Sequence, residues 1–250
     1  MKILGIIPAR FASTRLPGKP LLDIGGKSMI KRVYEQACKS KFLTDVIVAT
    51  DDYRIADHVK LFGGKAELTS VSHQSGTDRC AEVSNNYPEY DIIINIQGDE
   101  PFIDPGQIDL LCNSFNDASV SLATLIKLIN NPEELFDPNI PKVIVNKLGQ
   151  AIYFSRAALP YYRGSEPSNW LNIHPYFKHI GIYGYRNFAL KLITELPVSS
   201  LEKAESLEQL RWLENGLTIY VSETNFESLS IDTPLDLEKA IKQIESNTGI

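Results

Sequence analysis

The chain has 250 residues, 43% hydrophobic and 22% charged, an ordinary globular composition with length for a sizeable core. Its net charge of −6 argues against a general nucleic-acid or membrane-surface binder, because a polyanion repels an acidic protein. No apolar run approaches the ~20 residues of a spanning helix, and MKILGIIPAR meets Pro8 and Arg10 too soon for a signal peptide. Cys38, Cys80 and Cys112 are odd in number and widely spaced, which reads as reduced thiols of a cytoplasmic protein rather than a disulfide framework or zinc site.

In chain order, a β-branched run over 3–8 predicts the first strand. The loop PARFASTRLPGKP follows, with cations at Arg10, Arg15 and Lys19 and hydroxyls at Ser13 and Thr14. It is neither GxGxxG nor GxxxxGK[ST], so the dinucleotide fingerprint and the P-loop are both absent. It still offers a polyphosphate two guanidinium forks, a compact ammonium and hydroxyl donors. Otherwise it is a solvated basic loop. Helical spacing of Met29, Ile30, Val33, Tyr34 and Ala37 predicts a helix over 28–40. A strand over 45–50 ends at Asp51 and Asp52, which read as caps for a helix over 53–62. After residues 66–69 comes HQSGTDR, where Ser75–Gly76 can approach a flat ligand and Arg79 can fix it. A simple turn into a helix over 77–86 explains the same residues.

The apolar strand over 91–96 runs into Gln97, Gly98, Asp99 and Glu100. A carboxylate at a buried strand end needs a cation, which makes Asp99 a candidate Mg²⁺ ligand or else a cap for a helix over 107–115. A strand over 119–125 follows. Strands over 142–146 and 151–155 flank NKLGQ as a hairpin, and 156–178 is rich in Pro, Tyr and Trp. A strand over 179–185, a helix over 201–215 and a strand over 217–222 complete this stretch. Asp232 precedes a helix over 234–245 that opens on Thr233 as N-cap and Pro234 at its first position. It reads as part of a common helix entry, or as the second carboxylate that Mg²⁺ for phosphate chemistry requires.

The first 125 residues alternate strand and helix, so the expected fold class is α/β with a mainly parallel, Rossmann-like sheet flanked by helices and a smaller inserted lobe. A single domain is expected, with about 1–145 and 217–250 as its core and about 146–216 as the smaller lobe, over the sheet or at a dimer contact. Ligands of such sheets sit at the carboxyl ends of the strands, where the motifs above fall.

PARFASTRLPGKPL, HQSGTDR, NIQGDEP, YFSR, HIGIYGYR, SLEQLR and IDTPLDLE occur in that order over about the whole chain. Together they resemble the 3-deoxy-manno-octulosonate (Kdo) cytidylyltransferases, the CMP-Kdo synthetases of lipopolysaccharide biosynthesis. The resemblance implies a nucleotide-diphospho-sugar-transferase-like fold, a homodimer, Mg²⁺ dependence and transfer of CMP from CTP to Kdo with release of pyrophosphate. It gives the CTP phosphates to Arg10, Arg15 and Lys19, with Ser13 among the nucleotide contacts. It places the cytosine and ribose near His73–Arg79, thus at Ser75, Gly76 and Arg79. It makes Asp99 and Asp232 the metal carboxylates and assigns the sugar acid to Gln97, Arg156, His179, Tyr183, Glu208 and Gln209. Without the resemblance, Tyr183 reads as strand core and Glu208–Gln209 as helix surface. The rivals are transfer to 8-amino-Kdo or another keto-sugar acid, a non-catalytic nucleotide-sugar binder, and an NAD-dependent oxidoreductase, which the missing glycine fingerprint disfavours.

Overall fold

A computed structural model describes residues 1–12, 16–227 and 229–248. The expected phosphate contacts Ser13 and Arg15 lie outside the described residues. The chain forms two compact units, one from 1–112 with 227–250 and the other from 113–226.

The first unit opens with β1 (Ile3–Ala9), α1 (Met29–Ala37), β2 (Asp45–Thr50), α2 (Tyr53–Leu61), β3 (Ala66–Leu68), α3 (Gly76–Asn85), β4 (Ile92–Asn95) and α4 (Pro105–Asn113). Its strands lie in the order β3-β2-β1-β4, all parallel. β4 is buried at every position and β1 at all but Pro8, the pattern of strands covered on both faces. α1 turns Met29, Ile30, Val33 and Ala37 inward, and Ser28 caps it by accepting the Lys31 amide. Each of the larger of these side chains contributes about 1.5–3 kcal/mol by leaving water. The order reverses at β1, since β2 lies on one side of it and β4 on the other. The loops after β1 and β4 therefore diverge and open a crevice at the strand ends.

The second unit contains β5 (Leu122–Leu128), α5 (Pro132–Phe136), β6 (Lys142–Val145), β7 (Ala151–Ser155), α6 (Trp170–Ile173), β8 (Phe177–Arg186), α7 (Asn187–Thr194), α8 (Ser200–Glu205), α9 (Gln209–Glu214) and β9 (Tyr220–Glu223). β5 pairs antiparallel with β8 and parallel with β9, and β6 pairs antiparallel with β7 and the start of β8. Sequence reading sets 1–145 and 217–250 together as the core, whereas β5, β6 and β9 lie in this unit. The β6–β7 hairpin turns on Gly149 at φ 71° and on the Asn146 side chain, which accepts the Leu148 and Gln150 amides. Ile129, Leu135, Trp170 and Tyr176 form a local core beneath the Pro- and Tyr-rich stretch.

The expected helix over 201–215 is two helices. Ser206 breaks it with φ 52°, the left-handed region that L-residues avoid. The chain ends with α10 (Pro234–Thr248), which rejoins the first unit. There it packs Leu237, Ala240, Ile241 and Ile244 against Leu16, Ile24, Met29 and Ile231.

Candidate active site

A cavity of about 480 Å³ occupies the crevice of the first unit, within the usual ligand-pocket range. Its walls come from the end of β1 (Pro8–Arg10), the start of α3 (Gly76 and Arg79), the exit of β4 (Gln97–Asp99), Lys19, and Asp232 ahead of α10. Two glycines let the strand ends close in. A Cβ on Gly98 would sit 2.6 Å from the Pro8 carbonyl oxygen, an impossible contact with backbone. A Cβ on Gly76 would press to 3.1 Å from the Pro8 ring.

Lys19 is aimed by the turn that precedes it. Gly18, at φ 68°, donates its amide to the Phe11 carbonyl at 3.0 Å, and Lys19 opens a short 3-10 turn, Lys19–Leu21. The Lys19 Nζ then donates to Asp99 Oδ2 at 2.8 Å and Asp232 Oδ1 at 3.0 Å. The carboxylates come from 80 and 213 residues away along the chain. Two carboxylates sharing one ammonium mark a cation-sized locus. Among the described residues, no group of three or more His, Cys, Asp or Glu side chains could hold a metal. Two carboxylate donors facing a polar crevice suit Mg²⁺, which keeps waters and takes its other ligands from substrate phosphate. The donor set therefore fits the ion.

Asp232 is further placed by Ser230, whose hydroxyl donates to Oδ2 at 3.3 Å, and by its own amide, which donates to Asp236. Thr233 caps α10 as expected, accepting the Asp236 amide. Arg10 is exposed on the rim.

Arg79 lines the cavity, but its charge is already compensated. It is buried, donates from Nη2 to Asp51 Oδ2 at 2.9 Å and from Nη1 to the Thr69 hydroxyl, and so ties the ends of β2 and β3 together. Its Nε is buried without a partner among the described residues. Sequence reading gave Asp51 a cap role that belongs to Asp52, which accepts the Arg54 amide. No sequence signal links Asp51 to Arg79, because strand pairing alone brings them together. Ser75 is the N-cap of α3 in a capping box with Asp78, so its hydroxyl accepts the Asp78 amide. His73 pairs with Glu82.

Gln97 lies in the cavity wall, whereas the other expected sugar-acid residues belong to the second unit. There His179 and Tyr183 stand with ring centroids 5.2 Å apart, and Tyr183 packs edge-on to Trp212 at 5.1 Å. His179 Nε2 lies 3.0 Å from the Thr124 hydroxyl. Burial pushes the imidazole down to about 3, so it is neutral at pH 7. Burial, then the neighbouring Tyr185 and Glu208, push the Tyr183 phenol well above its ordinary range. Glu208 stands just ahead of α9, and Gln209, its first residue, is buried rather than on a helix surface. Arg156 is a clamp. It donates from Nε to the Glu205 carbonyl at 2.6 Å, from Nη1 to Pro138 at 3.0 Å and from Nη2 to Ser206 at 3.2 Å. Thr124 and Trp212 escaped sequence reading, since each looks like an ordinary strand or helix core residue.

A family profile described as Cytidylyltransferase matches residues 4–219. The 3-deoxy-manno-octulosonate cytidylyltransferase of Parabacteroides distasonis is 55% identical over 246 residues, covering 96% of this chain and 97% of its own. The chain belongs to the 3-deoxy-manno-octulosonate cytidylyltransferase family. A protein of the same description from Cytophaga hutchinsonii is 54% identical over 240 residues, covering 95% of both chains. A solved CMP:2-keto-3-deoxy-manno-octonic acid synthetase complexed with CTP is 44% identical, with a TM-score of 0.92. That match covers 99% of this chain and 100% of the other. The Rossmann-like α/β class expected for this family is the one the structure has.

Proposed function

We infer that this chain transfers CMP from CTP to the anomeric hydroxyl of Kdo, giving CMP-Kdo and pyrophosphate. Close relatives carry that description, and a similar structure holds CTP. Within the molecule, one observation carries the chemistry. Lys19, Asp99 and Asp232 converge at the strand ends, in a cavity rimmed by Arg10.

In the reaction the anomeric oxygen attacks the α-phosphorus of CTP. The bond from that phosphorus to pyrophosphate breaks, the leaving group takes its electron pair, and the hydroxyl proton is lost to solvent. Negative charge grows on the α-phosphoryl oxygens and on pyrophosphate. Arg10 and Lys19 offset it, and the closely packed glycine backbone lets phosphate reach them. Asp99 and Asp232 would hold Mg²⁺, which when bound screens the two anionic substrates and lowers the barrier to deprotonating the hydroxyl. Lys19 keeps these carboxylates together beforehand and releases them to the metal when it turns to phosphate. Gln97, Arg156, His179, Tyr183, Glu208 and Gln209 are proposed for the sugar acid, with neutral His179 binding a hydroxyl rather than the carboxylate. Ser75, Gly76 and Arg79 are proposed for the nucleoside. The reading includes a homodimer acting in the cytoplasm.

The test is pyrophosphate release from CTP with Kdo, 8-amino-Kdo or N-acetylneuraminate, each with and without EDTA. Release that requires Kdo and is abolished by EDTA is expected. Release only with another acid would overturn the sugar assignment, and release unaffected by EDTA would overturn the metal.

A further inference from the structure

Thr124 sits in the middle of β5 and is fully buried. Its hydroxyl oxygen lies 2.7 Å from the Ile182 carbonyl, 3.1 Å from the Ile180 carbonyl and 3.0 Å from His179 Nε2. This crowding comes from an irregularity in β8. Thr124 pairs with Tyr183 and the next residue, Leu125, with Ile180, so Gly181 and Ile182 bulge out of register. The bulge brings both carbonyls within reach of the Thr124 hydroxyl.

Hydrogen counting then decides the imidazole. A hydroxyl has one hydrogen and can also accept. A carbonyl can only accept, so the hydroxyl proton goes to the bulge, where Ile182 is nearer. The Thr124 oxygen meets His179 as an acceptor, and Nε2 must carry the ring hydrogen. The reverse arrangement would spend the only hydroxyl proton on the ring and leave the bulge carbonyls without it. With hydrogen on Nε2, the free lone pair of the neutral ring is on Nδ1, which has no hydrogen bond among the described residues. Phe154 and Tyr183, with centroids 5.1 and 5.2 Å away, fix the plane of the ring.

We propose that Thr124 is a positioning residue that locks His179 in the Nε2–H tautomer and so presents Nδ1 as an acceptor to a hydroxyl of the sugar acid. The second half rests on the reading of His179 as part of the sugar-acid pocket. The first half stands on the bulge alone.

The test uses the full chain with ¹⁵N-labelled histidine. Imidazole nitrogen shifts at neutral pH report the tautomer, and loss of signals in His179→Gln assigns this ring among the four histidines. An Nε2–H pattern is expected, and an Nδ1–H pattern in the unmutated protein overturns the proposal. Thr124→Val keeps the branched shape and removes the hydroxyl. It should lose the single tautomer and raise half-saturation for Kdo about tenfold, the worth of one hydrogen bond. Half-saturation for CTP should stay within about twofold, because the lost contact is to the sugar only. Thr124→Ser should restore both readouts. A Val variant that keeps the Nε2–H pattern overturns the lock. A shifted tautomer with unchanged Kdo saturation supports the lock and overturns the sugar half, with it the placement of His179 in the pocket.

Discussion

Lys19 holds two carboxylates that would otherwise repel each other at the strand ends. The side chains are 12%, 30% and 47% exposed for Lys19, Asp99 and Asp232, so solvent screens the pair and its net worth to stability is small. Its value is positional. Asp99→Asn and Asp232→Asn keep shape and hydrogen-bonding capacity but remove the charge that holds a cation. Each should cut turnover by at least about tenfold, the scale of one lost transition-state interaction, with the folded spectrum unchanged. Near-normal turnover in both variants would remove the metal assignment. Asp99 stands out in the sequence because a carboxylate closing an apolar strand demands a cation, whereas Asp232 reads there only as a helix entry or as the second carboxylate. The shared ammonium was not legible there, since sequence reading gave Lys19 to phosphate alone.

At the scale of elements, the break between α8 and α9 shows what periodicity misses. Residues 201–215 contain no proline and only helix-compatible spacing, so they read as one helix. In the structure α8 stops after six residues with its final carbonyls taken by Arg156. A cation at a helix C-terminus satisfies those acceptors and opposes the dipole. Ser206 then adopts φ 52° and redirects the chain so that Leu207, Gln209, Leu210 and Trp212 turn inward. Its side chain is exposed. Ser206→Gly should therefore stabilise the protein by about 0.5–1 kcal/mol by relieving the left-handed strain. Ser206→Val should destabilise it by a similar amount. Urea midpoints of the two variants decide this, and equal shifts in one direction would contradict it. The capping box of α8, Ser199 with Glu202, lies in the sequence as S-x-x-E and marks the start correctly. No comparable sequence signal marks the end, because the stop comes from Arg156, which lies far away along the chain.

At the scale of the molecule, the first unit is made from both ends of the chain. α10 seals a core of Leu16, Ile24 and Met29 and delivers Asp232 to the cavity in the same step, which couples folding to assembly of the site. A second coupling concerns pH. Burial holds His179 at about 3, against an ordinary value near ~6.5. The unfolded chain therefore binds the extra proton first. Stability from this residue is complete above about pH 6.5 and drains away as pH falls toward 3. Wild type should lose stability more steeply than His179→Gln across that window, as read by urea midpoints at successive pH values. Parallel curves would show that the imidazole is not held neutral by burial.

By itself the sequence determined the alternation of strands and helices and the place of a crevice at the strand ends, and it singled out Lys19, Asp99 and Asp232, which the fold brings together. Those follow from local rules: strands buried on both faces are apolar throughout, helices carry their caps, and unpaired charge is not left at a buried end. The tertiary structure alone decided which partners those groups take. Arg79 answers Asp51, Arg156 answers the end of α8, and Thr124 answers a bulge in β8. Each of these meetings joins residues far apart in the chain through strand register or helix termination. Register is a property of paired strands, not of either strand alone, so no single stretch of sequence contains it.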